Sequence, residues 1–367
     1  MRHSRGTVSA RREVIVDDRR ETVRLLEPDG TTVPGAQLPP PDRLLAGYRG
    51  LVHARRLNEQ AGALVRQGRL AVYPSSRGQE ACQVAAAMVL ADGDWLFPTY
   101  RDTAAIVARG VDPVEVLTML RGDRHCGYDV ATHRVAPQAT PLATQLLHAV
   151  GVAHAARLKG EPDAVLALCG DGATSEGDFH EALNFAAVFR APVVFLVQNN
   201  KYAISVPLHR QSAAARLADK ALGYGMPGVC VDGNDLPALL TVLDEALRRA
   251  RDGGGPTLVE ADTYRMEAHT NADDAGRYRD ESEVASWAGR DPLLRLRARL
   301  RADDLLDDDA ERALIDDAER MAADLRTGIA AESPVDPEDL FAHVYAHPTP
   351  QLREQRDRLR AELEVTP

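Results

Sequence analysis

Two short, continuously apolar runs at residues 164–169 and 192–197 are the clearest feature of the hydrophobic pattern. Uninterrupted runs of this length are typical of strands that are buried on both faces of a parallel sheet. Between them, apolar residues recur at helical spacing and predict one buried helix face, formed by Phe179, Leu183, Ala186 and Ala187. Two such strands joined by a helix form a right-handed βαβ unit. The polar residues after each strand are therefore expected at the same carboxyl edge, where open sheets bind ligands.

The rest of the chain continues this alternation of helices and strands. Helices are predicted over residues 42–67, 81–90, 212–222 and 236–251, with another ending at Lys159, and strands over 229–231 and 257–261. Residues 91–101 are predicted as a loop and residues 122–141 as a polar, irregular loop. The alternation predicts an α/β fold with a doubly wound, mostly parallel sheet flanked by helices.

A stretch rich in proline and glycine indicates the first predicted domain boundary. Residues 27–41 have the composition of a linker, so residues 1–41 are predicted as a flexible N-terminal tail and linker. Residues 42–345 are predicted as the main domain. The charged stretches at 281–330 and 350–364 are predicted to be helical, and residues 346–367 form a predicted C-terminal helical extension.

The two polar clusters at the predicted sheet edge carry candidate chemistry. Asp171 follows the first strand and Asn200 the second, and both offer the hard oxygen ligands that Mg²⁺ prefers. Gly170 and Gly172 have no side chains, so their backbone can approach an anion such as a phosphate. Each cluster alone would fit an ordinary turn. Together, separated by one βαβ unit, they predict a site for magnesium and a diphosphate.

Composition narrows the class of protein. The 367-residue chain has a net charge of −11, which argues against nucleic acid or an anionic membrane as the main partner. No apolar run approaches the ~20 residues that a membrane span needs. The four cysteines show no CxxC spacing, as expected of a protein in a reducing cytoplasm.

Several motifs in the same order resemble one enzyme family. The pair GDG and NN resembles the thiamine-diphosphate motif, and the chain is similar over about residues 42–345 to the α subunits of heteromeric 2-oxo acid dehydrogenases. These are the decarboxylating components that act on pyruvate or branched-chain 2-oxo acids. The matching segments are RGQEACQVAAAMVL, WLFPTYRD, TPLATQLLHAVG, GDGATSEGDFHEALNFAAVFRAPVVFLVQNNKYAIS, GYGMPGVCVDGND and TYRMEAHTNADD.

The resemblance implies a thiamine-diphosphate-binding fold and assigns roles to individual residues. It implies Asp171, Asn200 and the backbone carbonyl of Tyr202 as ligands of Mg²⁺, and Leu142 as an apolar support under the bent cofactor. His269 is the implied acid–base residue, because a histidine titrates near neutrality and lies in the matching polar loop. The full set of expected cofactor-binding residues is Tyr100, Arg101, Thr140, Leu142, Gly170, Asp171, Gly172, Ala173, Asn200, Tyr202, Ile204 and His269.

The resemblance also implies partners. Thiamine enzymes need a glutamate that activates the aminopyrimidine ring, normally on a second domain of similar fold, and this chain is too short to include that domain. A homologous β subunit is therefore expected to complete an α₂β₂ assembly. The lipoyl domain of a dihydrolipoyl acyltransferase is the expected acyl acceptor. A branched-chain 2-oxo acid is slightly favoured as substrate, with pyruvate as the alternative.

Two interpretations of a different class stay open at this point. A nucleotide-binding oxidoreductase would account for Gly170 and Gly172, but Ser175 occupies the third glycine position of GxGxxG. A non-catalytic subunit would account for the missing half of the cofactor site, but the retained metal ligands and His269 argue against it. Transketolase-like enzymes share GDG and the downstream asparagine but lack the RGQEA and YRMEAHT segments.

Overall fold

The fold is organised around one five-stranded parallel sheet. The computed structural model describes residues 21–122, 126–331 and 336–365. The sheet has the strand order β1-β2-β3-β7-β6, and a two-stranded antiparallel ribbon, β4-β5, follows β3. The strands are β1 (Trp95–Phe97), β2 (Val165–Gly170), β3 (Val193–Asn199), β4 (Tyr202–Ala203), β5 (Val206–Pro207), β6 (Gly228–Asp232) and β7 (Thr257–Asp262). The predicted α/β class and mostly parallel sheet are confirmed.

Helices surround this sheet. They are α1 (Pro41–Arg66), α2 (Glu80–Met88), α3 (Thr103–Ala108), α4 (Pro113–Arg121), α5 (Val130–His133), α6 (Thr144–Lys159), α7 (Gly177–Phe189), α8 (Leu208–Gln211), α9 (Leu236–Arg249), α10 (Glu281–Ala288), α11 (Pro292–Ala302), α12 (Asp308–Ala330), α13 (Asp339–Ala342) and α14 (Pro350–Val365). Short 3-10 segments lie at Asp171–Ser175, Leu217–Tyr224 and Ala275–Arg277, and a π-helical turn at Ala250–Gly254.

Alternate residues of β2 and β3 face two different hydrophobic cores. Leu166 and Leu168 pack in a core with residues of α1, α2 and α9, while Val165 and Ala167 pack in a second core with α6 and α7. Both strands are apolar throughout because both faces are buried. Parallel pairing of β2 with β3 brings their carboxyl ends, Gly170 and Asn199, to the same edge.

Three local predictions were wrong. The predicted loop 122–141 contains α5, a single helical turn that begins after Asp129, whose side chain accepts from the Thr132 N–H. The predicted loop 91–101 contains β1, a three-residue strand that pairs with β2 and is too short to give a periodic signal. The predicted helix 212–222 does not form: the backbone is extended at Ser212, and a 3-10 segment begins only at Leu217. Leu217, Ala218 and Ala221 are buried, so the apolar spacing that suggested one helix is satisfied by this tighter turn.

The N-terminal segment is held against the sheet edge. The N–H groups of Leu25 and Leu26 each donate to the Asp235 carboxylate at 2.7 Å, and Val23 bridges to Val231 of β6. Residues 21–33 therefore pack on the domain although they fall in the predicted flexible tail. Residues 1–20 lie outside the described residues, and the boundaries at 42 and 345 stay predictions. Among the described helices, none is long and apolar enough to span a bilayer.

Candidate functional site

A cavity opens where β2 and β3 end. It has a volume of about 390 Å³. All twelve residues expected to bind the cofactor line it, although they come from five separate parts of the chain: Tyr100, Arg101, Thr140, Leu142, Gly170, Asp171, Gly172, Ala173, Asn200, Tyr202, Ile204 and His269. The fold thus brings together every residue that the sequence singled out, while their individual roles stay predictions.

Asp171 and Asn200 meet at the floor of this cavity. The Asp171 carboxylate is only 1% exposed and accepts from the Asn200 N–H at 3.3 Å and from Gln211 Nε2 at 2.7 Å. Burial raises the pKa of Asp171, while its hydrogen bonds and the charge of Lys201 oppose that shift. The Oε1 atom of Gln211 is buried and has no hydrogen-bond partner. Gln211 is not among the residues that line the cavity, so the feature that favours a bound cation there is the buried Asp171 carboxylate, because a cation would lower the cost of its burial.

The turn after β3 is held in an unusual backbone conformation. Lys201 and Ile204 both have left-handed backbones, with φ of 76° and 54°. This conformation brings the ribbon over the glycine turn, so closely that a Cβ on Gly172 would lie 2.8 Å from Ala203 Cβ. Only glycine fits at position 172 without displacement. The GDG turn and the NNKY turn are therefore packed into one unit.

Arg265 is a site residue whose role the sequence did not indicate. Its guanidinium is 1% exposed and donates to the carbonyls of Tyr202 at 3.3 Å and Ile204 at 2.7 Å. These two hydrogen bonds hold the β4-β5 ribbon in place. The Tyr202 carbonyl, an expected metal ligand, keeps a second lone pair beside this long hydrogen bond. An arginine in the matching TYRMEAHT segment was the available signal, but its target could not be inferred from the sequence.

His269 is held by Arg101. The Arg101 guanidinium donates to Nδ1 of His269 at 3.0 Å, to its carbonyl at 3.1 Å and to the Ser75 carbonyl at 2.9 Å. Because a guanidinium only donates, Nδ1 carries the lone pair and Nε2 carries the proton. The rings of Tyr100 and His269 make an edge contact with 6.0 Å between their centroids. The backbone N–H of His269 donates to the Asp273 carboxylate at 2.8 Å.

The charge state of His269 follows from these contacts. Burial, with the charges of Arg101 and Arg265, lowers its pKa to about 4. His269 is therefore neutral at physiological pH. An unfolded histidine titrates near ~6.5, so between about pH 6.5 and 4 the unfolded chain binds a proton that the folded chain does not. This residue's contribution to stability is thus complete above that window and is lost as the pH falls through it.

An NMR titration of the histidine imidazoles tests this assignment. We expect the His269 signal, identified by its loss in His269→Gln, to stay constant from about pH 8 to 5. Arg101→Met should raise its pKa, since one adjacent positive charge is removed while burial remains. A wild-type His269 that titrates near neutrality would contradict the assignment.

The donor set limits the metal that this cavity could hold. Within the described residues, no group of three or more His, Cys, Asp or Glu side chains is placed to bind a metal ion. One carboxylate, one amide oxygen and a backbone carbonyl make a poor site for zinc. The same set suits Mg²⁺, which keeps several ligand positions for water or phosphate oxygens.

Comparison with known proteins agrees with this geometry. The family model described as "Dehydrogenase E1 component" matches residues 48–334. The chain belongs to this family. E1 dehydrogenases depend on thiamine diphosphate, and the matched range contains all twelve residues expected to bind the cofactor. The resemblance inferred from the sequence motifs is thereby confirmed.

Named relatives of this E1 chain include enzymes of two substrate classes. The 3-methyl-2-oxobutanoate dehydrogenase subunit alpha of Mycobacterium tuberculosis is 47% identical and covers 94% of this chain and 95% of its own. The 2-oxoisovalerate dehydrogenase subunit alpha of Bacillus subtilis is 38% identical over 82% of this chain and 94% of its own. The pyruvate dehydrogenase E1 component subunit alpha of Staphylococcus aureus is also 38% identical, over 84% of each chain. These names include both expected substrate classes.

Proposed function

We propose that this chain is the α subunit of a 2-oxo acid dehydrogenase. With a homologous β subunit it would catalyse the oxidative decarboxylation of a 2-oxo acid and transfer the acyl group to the lipoyl domain of an acyltransferase component. The observation that carries this proposal is the convergence of the twelve residues on one cavity at the carboxyl ends of β2 and β3. Four free cysteines also support a cytoplasmic location.

The cavity residues fit a magnesium–diphosphate group. Asp171 and Asn200 would hold the ion by their side-chain oxygens and Tyr202 by its backbone carbonyl, and all three residues line the cavity. Backbone N–H groups of the 3-10 segment after Gly170 would face the diphosphate, as helix N-termini commonly do. Leu142 and Ile204 are 41% and 55% exposed at this cavity, so apolar side chains are available to support an aromatic ring system.

The remaining roles fall to His269 and Arg101. Thiamine diphosphate, when bound, supplies the chemistry of decarboxylation, so the chain must bind, orient and move protons. Neutral His269 would present its Nε2 proton to the reacting substrate or to a lipoyl sulfur. Arg101 keeps Nδ1 unprotonated and holds the ring in place. Because the pKa of His269 is lowered to about 4, the ring is neutral at physiological pH, and its Nε2–H would serve as a hydrogen-bond donor to the reacting group.

The cavity needs a partner to be complete. Asp171 is the only carboxylate among the described residues that line the cavity, so none of these residues is a glutamate that could activate a pyrimidine ring. Large apolar side chains are also exposed on α6 and α7, namely Leu158, Phe185, Val188 and Phe189. An apolar surface of this kind favours an obligate subunit interface, which commonly buries more than ~2,000 Å². Both features support the β subunit.

Branched-chain 2-oxo acids are the favoured substrates. The relative at 47% identity and one of the two at 38% carry names of branched-chain enzymes. Pyruvate stays the alternative, because the second relative at 38% is a pyruvate dehydrogenase subunit. The two classes differ by a few methylene groups, a discrimination of about 1–3 kcal/mol that cavity shape can set.

Co-expression with the β subunit, followed by decarboxylation assays with an artificial electron acceptor, tests the proposal. We expect no turnover by this chain alone and turnover by the assembly. The assembly should favour 3-methyl-2-oxobutanoate and 4-methyl-2-oxopentanoate over pyruvate by roughly 10- to 200-fold in kcat/KM. Preference for pyruvate would select the alternative substrate. Turnover without any second polypeptide would contradict the need for a β subunit.

A further inference from the structure

A chain of buried side-chain hydrogen bonds runs from Asp102 to the proposed metal ligand Asn200. Gln198 Nε2 donates to Asp102 Oδ1 at 2.7 Å, Gln79 Nε2 donates to Gln198 Oε1 at 2.9 Å, and Asn200 Nδ2 donates to Gln79 Oε1 at 3.0 Å. All four residues are between 0 and 6% exposed. They come from the starts of α2 and α3 and from the end of β3, so the series of hydrogen bonds exists only in the folded chain. We call this series, from Asp102 through Gln198 and Gln79 to Asn200, the relay.

The relay has a direction, and Asp102 sets it. Asp102 Oδ2 accepts from the Thr99 N–H and hydroxyl, both at 2.7 Å, while Oδ1 accepts from Gln198. The Thr99 hydroxyl oxygen accepts from the backbone N–H of Arg101 at 3.1 Å, and the hydroxyl hydrogen points to Asp102. Both carboxylate oxygens therefore act as acceptors. Burial raises the pKa of Asp102, and these hydrogen bonds oppose that shift.

Because Asp102 is an acceptor at one end of the relay, it determines the orientation of each side-chain amide after it. A glutamine or asparagine amide can rotate to exchange its oxygen and nitrogen, and only its partners decide which way it faces. Because Asp102 can only accept, Gln198 must offer its NH₂ group to it and its oxygen to Gln79. Gln79 must then offer its oxygen to Asn200. The Asn200 NH₂ is thereby directed to Gln79, and its Oδ1 is left to accept from the backbone N–H of Tyr202, 3.2 Å away.

The position of Asp102 supports a role outside its own helix. Asp102 is the residue before α3, where an aspartate usually accepts from the N–H groups of the first turn. Here its side chain makes no such hydrogen bond. The carboxylate turns instead to Gln198 and Thr99, which leaves the capping contribution to α3 unused.

We propose that Asp102, Gln198 and Gln79 are positioning residues that hold the Asn200 amide with Oδ1 presented to Mg²⁺. This inference rests on the proposed function, because it concerns the metal-binding half of the cofactor site. An Asn200 amide that faced the other way would present an NH₂ group to a cation, and the ion would lose a ligand. A buried carboxylate two side chains away thus sets the chemistry at the metal position.

The test reverses the direction of the relay with minimal change in shape. In Asp102→Asn the Thr99 contacts fix the new amide oxygen, so the new NH₂ group faces position 198. Gln198, Gln79 and Asn200 must then each turn over, or one hydrogen bond must be lost. Calorimetric titration of thiamine diphosphate and Mg²⁺ into the α/β assembly should show affinity reduced roughly 10- to 100-fold, the order expected for losing a contact to a charged group.

The matched control moves the carboxylate by one position. In Asp102→Asn/Gln198→Glu the new asparagine donates to a glutamate that can again only accept, and Gln79 and Asn200 keep their orientations. The double variant has the same net charge and nearly the same volume as the wild type. Its affinity for Mg²⁺ and thiamine diphosphate should return to within about threefold of the wild-type value. General damage to packing would not be repaired by this second change.

The outcomes separate the relay from the proposed function. Weak binding by Asp102→Asn with recovery in the double variant supports the relay. Wild-type affinity in Asp102→Asn overturns it, and so does equal weakness in both variants when each still assembles with the β subunit. If Asp102→Asn fails to assemble with the β subunit, the double variant alone is compared with the wild type. An affinity within about threefold of the wild-type value then supports the relay, and a weaker affinity overturns it. A wild-type assembly that binds no thiamine diphosphate with Mg²⁺ would instead overturn the proposed function itself, and the relay with it.

Discussion

Replacement of Asp171 by alanine is expected to abolish magnesium-dependent binding of thiamine diphosphate while the folded chain persists. Asp171 is the only carboxylate among the described residues that line the cavity, so no neighbour can replace it as a ligand. The loss should exceed the roughly 10- to 100-fold that removal of an outer-sphere partner costs at metal sites. Burial raises the pKa of Asp171, which shows that burying the ionised carboxylate is costly, and we therefore expect the alanine variant to fold.

Thermal unfolding with and without cofactor measures this effect. A ligand at one hundred times its dissociation constant adds about 2.7 kcal/mol to the free energy of unfolding, so the wild-type assembly should show a clear rise in Tm. The Asp171→Ala assembly should show none. Glu161→Ala is a suitable control, because Glu161 is exposed and precedes β2 at the opposite edge of the sheet. An unchanged cofactor-induced rise in Asp171→Ala would disprove its role as a ligand.

Replacement of His269 by alanine should reduce acyl transfer to the lipoyl domain by about 10²- to 10⁴-fold, the usual contribution of a positioned acid–base group. Its imidazole carries its proton on Nε2 and lines the same cavity as the metal ligands. Cofactor affinity should change much less, because Asp171, Asn200 and the glycine turn are retained. The expected signature is therefore a fall in kcat with thiamine-diphosphate binding preserved.

Acylation of a lipoyl domain by the assembled variant is the measurement. His343→Ala provides a matched control, since His343 is exposed and does not line the cavity. An acylation rate for His269→Ala within about threefold of the wild type would show that His269 is not an acid–base residue. Arg101→Met gives a further comparison, because it frees Nδ1 of His269 without removing the imidazole.

The elements that the sequence predicted correctly are those with a strong local signal. The apolar runs of β2 and β3 are typical of buried strands, and their polar ends had to meet because parallel strands share a carboxyl edge. This pattern alone places Asp171 and Asn200 side by side. Motif similarity supplied the more distant residues, such as Tyr100 and His269, which also line the cavity.

The features that could not be predicted depend on contacts between distant residues. β1 is three residues long and exists because β2 lies beside it. Gln79 and Gln198 are 119 residues apart, and neither pattern nor composition indicates that their amides would meet. Arg265 has an ordinary place in a polar loop, yet it is buried under the ribbon after β3. Such polar contacts carry no periodicity, so only the folded chain shows them.

The left-handed backbone at Ile204 lowers the stability of the fold, while the Ile204 side chain lines the cavity. A β-branched residue rarely adopts this conformation, and strain of this kind costs on the order of 1–3 kcal/mol. Selection for heat resistance alone would therefore reward Ile204→Gly, which relieves the strain at once. The same change would remove an exposed aliphatic side chain from the cavity rim. In directed evolution of this enzyme, thermostable variants with glycine at position 204 should accumulate unless every round of screening also demands turnover.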